Sequence, residues 1–264
     1  MPTYTHGHAE SVLRSHRSRT AENSAAYLLP YVRPDHRLLD VGAGPGTITA
    51  DLATLVREVV AVEVNDEAAA ITRAGLDERG ITNATVIVAD VHDLDLDDGS
   101  FDVVHAHQVL QHVSDPVQAL REMARVTCPG GVVGVRDSDY AAFAWYPLLP
   151  GLEEWLRLYR DAARANGGEP DAGRHLLAWA HAAGLEDVTV SASTWCYATP
   201  ETRAWWGGMW ADRVTGSALA EQLVHEDRAT RERLGELAEA WRAWAADPDG
   251  WILIPHGELV IRRG

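Results

Sequence analysis

Residues 37–49, RLLDVGAGPGTIT, constrain this chain more than any other stretch. An apolar run of Leu38, Leu39 and Val41 is interrupted by Asp40 and followed by glycines at 42, 44 and 46. Apolar residues then recur at helical spacing, at Ile48, Leu52, Leu55 and Val56. That order predicts a buried strand, a glycine turn and a helix. Glycines at alternate positions let a turn take left-handed backbone angles and let a ligand approach main-chain N–H groups. An ordinary strand-to-helix connection needs neither three alternating glycines nor an acid in front of them. A ligand site is the better reading.

The alternation continues along the chain. Residues 58–64 (EVVAVEV) read as a second strand with Glu63 near its carboxyl end. Asp66 caps a helix reaching about Arg79, with Gly80 as its stop. Residues 84–89 (ATVIVA) hand over to Asp90, and residues 101–106 (FDVVHA) lead into HQVLQHVSD. Asp115 and Pro116 then cap and open a helix, and Pro129, Gly130 and Gly131 precede a fifth strand at 132–135. Strands alternating with helices predict an α/β fold with a parallel sheet. Upstream, residues 11–32 read as one helix ended by Pro30 and Pro34. After Asp137 the texture becomes aromatic, and a strand at 187–195 separates two helical regions, the second running from Thr199 to Ala246. WILI and ELVIRRG, with PHG between them, read as a closing hairpin.

At 264 residues the chain can bury one large core. Its 23 basic and 39 acidic residues give a net charge of −16, which repels a phosphate backbone and argues against a nucleic-acid partner. No apolar run approaches the ~18 residues of a membrane span. The first 24 residues are polar and lack the apolar core of a signal peptide. Cys128 and Cys196 lie far apart and predict neither a disulfide framework nor a Cys-rich metal site. The expectation is a soluble, cytoplasmic protein, monomer or homodimer, with a small-molecule substrate and no metal.

The ligand can be narrowed further. A dinucleotide fingerprint needs its third glycine at 47, where Thr47 stands, and Pro45 stiffens the loop. Glu63 follows the loop by about 20 residues, where a carboxylate accepts from ribose hydroxyls. Asp90, at the end of the next strand, is placed to accept from an adenine amine. Asp40, Glu63 and Asp90 together suit a cationic nucleoside and would repel a diphosphate. A nicotinamide-dependent oxidoreductase would also want a Tyr-x-x-x-Lys pair, and this chain has no lysine.

LLDVGAGPGTIT, VVAVEVN, VADVHDLDLDDGSFDVVHAHQVLQHVSD and TCPGGVVGV resemble the successive motifs of class I S-adenosylmethionine-dependent methyltransferases. Within them they are similar to the branch of ubiquinone/menaquinone-biosynthesis methyltransferases. The resemblance covers about residues 25–137. It implies a Rossmann-like, seven-stranded, mostly parallel sheet with one antiparallel strand, joined here by a helical, Trp-rich cap. It implies one domain over residues 1–264, with about 1–35 as an N-terminal helical lid and about 138–185 and 199–246 as cap insertions. S-adenosylmethionine would be the cofactor and S-adenosylhomocysteine the product. Gly42 and Gly44 would face its methionine part, Glu63 the ribose, and Asp90 with the backbone of Val91 the adenine, with Asp40, Gly46 and Val64 also among the cofactor-binding residues. His107 would border the methyl-donor site.

RTAENSAAYLLPY, RDSDYAAFAWYP and GGEPDAG resemble a narrower subset, enzymes of secondary metabolism that include thiol methyltransferases of gliotoxin and dithiolopyrrolone type. This second resemblance implies a sulfur acceptor, with carbon or oxygen as the alternative. A cofactor-binding protein without catalysis is the reading from another class. A sulfonium methyl is already activated, so the protein has mainly to align a nucleophile roughly 3 Å behind it. A thiolate needs little more, whereas a hydroxyl or amine needs a base. His107, Asp137 and Tyr140 are the catalytic candidates. His105, inside a strand, reads as a satisfied core histidine. The ten tryptophans, gathered after residue 140 against two phenylalanines in all, fall mostly at helical spacing and suit core packing. Tyr27, His112, Tyr140, Trp145, Tyr146, Trp206 and Trp210 are the candidate substrate pocket. Arg14, Arg17 and Arg19 read either as part of a lid or as a solvated basic face.

Overall fold

The computed structural model describes residues 10–264, with side chains from residue 13 onward. In chain order the helices are α1 (Glu10–Arg17), α2 (Ala21–Ser24), α3 (Thr47–Ala53), α4 (Asp66–Glu78), α5 (Pro116–Val126), α6 (Pro150–Ala165), α7 (Leu176–Ala182), α8 (Pro200–Gly216), α9 (Ala218–His225) and α10 (Arg231–Ala246). The strands are β1 (Arg37–Val41), β2 (Glu58–Glu63), β3 (Ala84–Val88), β4 (Phe101–His107), β5 (Thr127–Ser138), β6 (Ala144–Tyr146), β7 (Val188–Tyr197) and β8 (Trp251–Arg262). They divide between two compact units. A sheet unit comprises residues 16–138, 172–193 and 256–264, and a helical unit comprises residues up to 15 together with 139–171 and 194–255. The first nine residues of the expected N-terminal lid lie outside the described residues.

In the sheet unit the strand order is β3-β2-β1-β4-β5-β8, with β7 also pairing with β8. The first five strands are mutually parallel, and residues 256–262 of β8 run antiparallel to β5. Leu38, Val59, Val103, Val132 and Val260 pack with Leu28, Ile48 and Leu52. Their sequence neighbours Leu39, Val60, Val104, Val133 and Leu259 pack instead with Leu120, Met123 and Leu176. Successive strand residues point to opposite faces, so these two clusters are the two sides of one sheet. Both sides are covered by helices, and that is why the strands read as continuous apolar runs. Asn65, one residue before the expected Asp66, caps α4 by accepting from the Ala68 N–H at 2.9 Å. Asp115 caps α5 through the Gln118 N–H at 2.9 Å.

Two local expectations are corrected. The single helix over 11–32 is broken into α1, α2 and a 3₁₀ turn, Leu29–Tyr31. Thr20 starts a new helix through a reciprocal capping box with Asn23, which takes the N–H groups a continuous helix would have used. The closing hairpin is instead one uninterrupted strand, β8. Gly257 is extended there and lies against the main chain of Gly173, whose carbonyl oxygen would be 2.2 Å from an added Cβ. The glycine serves close approach within a strand, which the PHG string imitates as a turn.

The helical unit is built on aromatic rings. Trp155, Trp210, Trp241 and Trp244 are buried with Leu152, Leu237 and Ile252. Trp155 meets Trp210 and Trp241 edge-to-face, with centroids 4.5 and 4.7 Å apart. Gly207 of α8 packs against the Trp241 carbonyl of α10, where an added Cβ would be 2.9 Å away. Residues 251–253 of β8 pair antiparallel with β6. Truncating Trp241 to alanine leaves a ring-sized cavity at the centre of this cluster. Trp241→Ala is expected to cost about 3–5 kcal/mol, read by chemical denaturation of the helical unit; an unchanged midpoint would contradict this packing.

Candidate functional site

The glycine loop is held in shape from several sides. Gly42, Gly44 and Gly46 have φ of +68°, +59° and +74°. A Cβ on Gly42 would be 2.5 Å from a Val109 methyl, so position 42 excludes side chains twice over. The Gly44 carbonyl accepts from the Thr72 hydroxyl at 2.6 Å. The Pro45 carbonyl lies against Gly75 of α4, 2.1 Å from where a Cβ would stand. Thr72 and Gly75 escape a reading of the loop alone. Gly75 carries one signal, a glycine inside a strong helix pattern.

Three acids that the sequence singles out are each in a different state. Asp40 is buried and its two oxygens take the Thr49 hydroxyl at 2.5 Å and the His105 Nδ1 at 2.7 Å. His105 is a core histidine bonded only through Nδ1, its buried Nε2 having no hydrogen-bond partner among the described residues. The expectation of a satisfied core histidine is met at one ring nitrogen and not the other, and Asp40 is engaged inside the protein. Glu63, at the end of β2, accepts from the Gly44 N–H at 2.5 Å. Burial pushes its carboxyl up to about 7, against the lowering effect of that N–H. Asp90 is exposed, and its Oδ1 takes the His92 N–H at 2.9 Å and the His92 ring Nδ1 at 2.6 Å. The backbone N–H of His92, then its ring, hold the Asp90 carboxyl below the ordinary range. Val91 is buried, whereas the Val64 side chain is exposed.

A second group of polar residues comes together through register. On the face that carries Val103, Val132 and Val260, the strands turn polar toward their carboxyl edge. His107 pairs with Arg136 across β4 and β5, and Arg136 pairs with Glu258 across β5 and β8. Arg136 and Glu258 are both buried, and the Arg136 Nε is 3.2 Å from the Glu258 carboxylate. Ser191 donates to Glu258 at 2.8 Å, and Ser193 also bonds it. Gln108, just past β4, has a left-handed φ of +55°. Its side chain bonds the Arg19 guanidinium at 2.6 Å and the His256 Nε2 at 2.9 Å.

Burial dominates the titration of this group. It drives His107 well below the ordinary imidazole range, with Arg19 and Arg136 adding to the effect. It pushes His112 down to about 3, again with Arg19. Asp137, at the end of β5, is fully buried and is pushed up to about 7 despite the N–H groups of Gln111 and Leu110. Its Oδ1 accepts from Gln111 at 3.0 Å, while its Oδ2 has no hydrogen-bond partner. The Tyr27 hydroxyl is also buried without a partner, and burial raises its pKa well above the ordinary value.

The remaining sequence candidates belong to the helical unit. Tyr140 stacks on Phe143 and meets Tyr159, with centroids 4.5 and 4.2 Å apart. Trp206 stacks on Tyr197 at 4.6 Å, and Trp210 is fully buried beside Trp155. Trp145 is half-buried on the same core, whereas Tyr146 is 51% exposed. Arg14 pairs with Asp212 at 2.8 Å on the surface of this unit. Among the described residues no three His, Cys, Asp or Glu side chains are grouped to hold a metal ion, and no helix is long and apolar enough to cross a membrane.

Residues 39–135 match a family described as a methyltransferase domain. Over 98% of its length the chain is 36% identical to an uncharacterized methyltransferase of Schizosaccharomyces pombe, spanning 96% of that protein. The chain belongs to the class I S-adenosylmethionine-dependent methyltransferases. It is also 39% identical, over 106 residues, to the ubiquinone/menaquinone biosynthesis C-methyltransferase UbiE of Idiomarina loihiensis, a match covering 39% of this chain and 42% of that one. The YcgJ protein of Bacillus subtilis shares the fold, with a TM-score of 0.59 at 22% identity over 91% of this chain and 97% of that one. S-adenosylmethionine is the methyltransferase's cofactor. The residues fit it: glycines at 42, 44 and 46 in left-handed conformations, a buried acid at Glu63 and no cationic residue among 42–46 suit a sulfonium nucleoside.

The state of Glu63 makes two expectations. Its folded value near 7 lies above the ordinary 4.5, so the unfolded chain releases this proton first. The free enzyme therefore loses this share of its stability as pH rises from about 4.5 through 7. If Glu63 accepts from the ribose hydroxyls, as the sequence resemblance implies, the carboxylate it needs is complete only above that range. The rise in melting temperature caused by S-adenosylhomocysteine is expected to grow between about pH 6 and pH 8, and Glu63→Gln to abolish that growth; equal rises in the wild type would contradict it. Gly75→Ala, which in an open helix would stabilise by about 0.5–1 kcal/mol, is expected instead to weaken S-adenosylhomocysteine binding in calorimetry by displacing Pro45.

Proposed function

We propose that this methyltransferase methylates a small aromatic or heterocyclic acceptor, and that the accepting atom is a thiol sulfur. One observation carries the reading: Asp137 is a buried carboxyl with a value near 7 and an Oδ2 that nothing bonds. An ordinary thiol, at about 8.5, is within two units of that base, whereas a phenol at about 10 is less well matched. The narrower sequence resemblance points to the same acceptor class.

S-adenosylmethionine, when bound, supplies a methyl already activated by its sulfonium. In this reading Glu63 orients the ribose, Asp90 and the Val91 N–H the adenine, and the loop at Gly42 and Gly44 the methionine part. Asp137 accepts the thiol proton as the acceptor sulfur takes the methyl group, with S-adenosylhomocysteine as the neutral leaving group, and passes that proton to water afterwards. Tyr27, un-ionised across the working range, donates its O–H toward the nucleophile. His107 and His112 are neutral at pH 7 and too weakly basic to compete with Asp137 for the proton. They shape the pocket. Carbon is the second reading, favoured by the similarity to UbiE, a C-methyltransferase.

A methyl-donor assay against thiols, phenols, amines and quinols, read by mass, tests the acceptor. Thiols are expected to turn over fastest, and methylation of quinols alone would move the assignment to carbon. Asp137→Asn is expected to slow thiol methylation about 10²-fold at pH 7, with the loss shrinking as pH passes the thiol's own value. A loss of the same size at every pH would make Asp137 a structural residue.

A further inference from the structure

Within the sheet unit, the loop that follows β3 is fastened to α5 at two places. At the first, Arg125 donates to the carbonyls of Leu96 at 2.8 Å and Leu94 at 2.7 Å, and Glu122 accepts from the Leu94 N–H at 3.0 Å. The second is His92, two residues after Asp90. Its carbonyl accepts from the Gln118 Nε2 at 3.2 Å, and its ring Nε2 accepts from the Asp115 main-chain N–H at 3.3 Å.

The bond from Asp115 fixes the state of the ring. A main-chain N–H can only donate, so the His92 Nε2 is an acceptor and carries no proton. The ring proton is then on Nδ1. Nδ1 lies 2.6 Å from the Asp90 Oδ1, and it therefore donates to that carboxylate. The same oxygen takes the His92 main-chain N–H at 2.9 Å. The main-chain bond alone completes the turn in which an aspartate binds the N–H two residues on. Arg125 and Glu122 already hold the loop beyond it. The ring bond is surplus to both and acts on the carboxylate.

Among the described residues both bonds to the Asp90 carboxylate fall on Oδ1. Asp90 is exposed, and Oδ2 remains for a ligand. Together the two bonds keep its carboxyl below the ordinary range, so it stays an ionised, acceptor-only group. A carboxylate tied at one oxygen has already lost rotamer freedom that binding would otherwise have to remove. An oxygen presented in this way recognises a donor at one position, and on a purine that donor is an exocyclic amine.

We infer that His92 is a positioning residue that makes this site selective for an amine-bearing purine, by holding Asp90 so that its Oδ2 meets the amine. The inference rests on the reading of Asp90 as the residue that binds adenine.

Calorimetry on the intact chain tests it with two probes, S-adenosylhomocysteine and its analogue in which the purine lacks the exocyclic amine. Wild-type protein is expected to bind S-adenosylhomocysteine about tenfold tighter than the analogue, or more. His92→Leu is expected to weaken S-adenosylhomocysteine about threefold to tenfold and the analogue less than about twofold, so that the preference shrinks. His92→Asn is expected to keep most of the preference, because its amide nitrogen is as many bonds from the main chain as Nδ1. Equal weakening of both probes by His92→Leu would mark a merely structural residue and overturn the inference, as would an unchanged preference. Asp90→Ala tests the reading beneath it, and is expected to abolish the preference. If it does so while His92→Leu leaves the preference intact, His92 alone is refuted. If wild-type protein shows no preference, or Asp90→Ala leaves it in place, the adenine reading falls and the inference with it.

Discussion

The register among β4, β5 and β8 is the constraint on which the interior of the sheet unit depends. It sets His107, Arg136 and Glu258 side by side on one face. A buried guanidinium–carboxylate pair is tolerated only where its remaining donors and acceptors are met, and removing one partner of such a pair costs about 3–5 kcal/mol. Here Ser191 and Ser193 of β7 add bonds to Glu258, and Ser193 also takes the Arg136 Nε at 3.1 Å. A slip of one residue in β8 would turn Glu258 to the opposite face and leave Arg136 buried against apolar neighbours. The pair therefore specifies strand alignment more than it adds net stability.

Electrostatically, burial drives several groups at the carboxyl edge of the sheet unit toward their uncharged forms. Burial raises Glu63, Asp137 and Tyr27, and lowers His107 and His112. Every one of these shifts favours the uncharged form, the signature of a site that water solvates poorly. If the cationic donor binds at this edge, as proposed above, it meets carboxyl groups whose values lie near 7, able to ionise in response to it. Transfer of the methyl group would then remove that positive charge, and the same groups would be under less demand in the product state.

Features set by neighbours in sequence were legible from it. The glycine loop, the strand–helix alternation and the Asp115 cap each depend on a few adjacent residues. What stayed hidden depends on pairing across long separations. Arg136 closes an apolar run and gives no sign that Glu258 will stand opposite it. Arg19 looks like one of three surface arginines, and only the fold carries it to Gln108. Asp40 reads as a ligand acid, yet Thr49 and His105 take both its oxygens. The PHG string fits a hairpin on composition, and only the main chain of Gly173 explains why a glycine sits in a continuous strand. In the helical unit, helical spacing accounts for Trp155, Trp210, Trp241 and Trp244, whose rings form a core. It says nothing about why a chain would choose indoles for that task.

The single course of β8 bears on how this chain is made. Residues 256–262 complete the hydrogen bonding of β5, a strand synthesised more than a hundred residues earlier. Until they emerge from the ribosome, β5 is an open edge, and open edges pair with whatever strand is near. Arg136 would spend that interval without Glu258. Late arrival of a strand that pairs on both sides makes the assembly dominated by distant contacts, which slows folding and lengthens exposure to aggregation. Translation speed and chaperone occupancy over that interval should therefore govern the yield of this protein more than the strength of any one contact in its finished core.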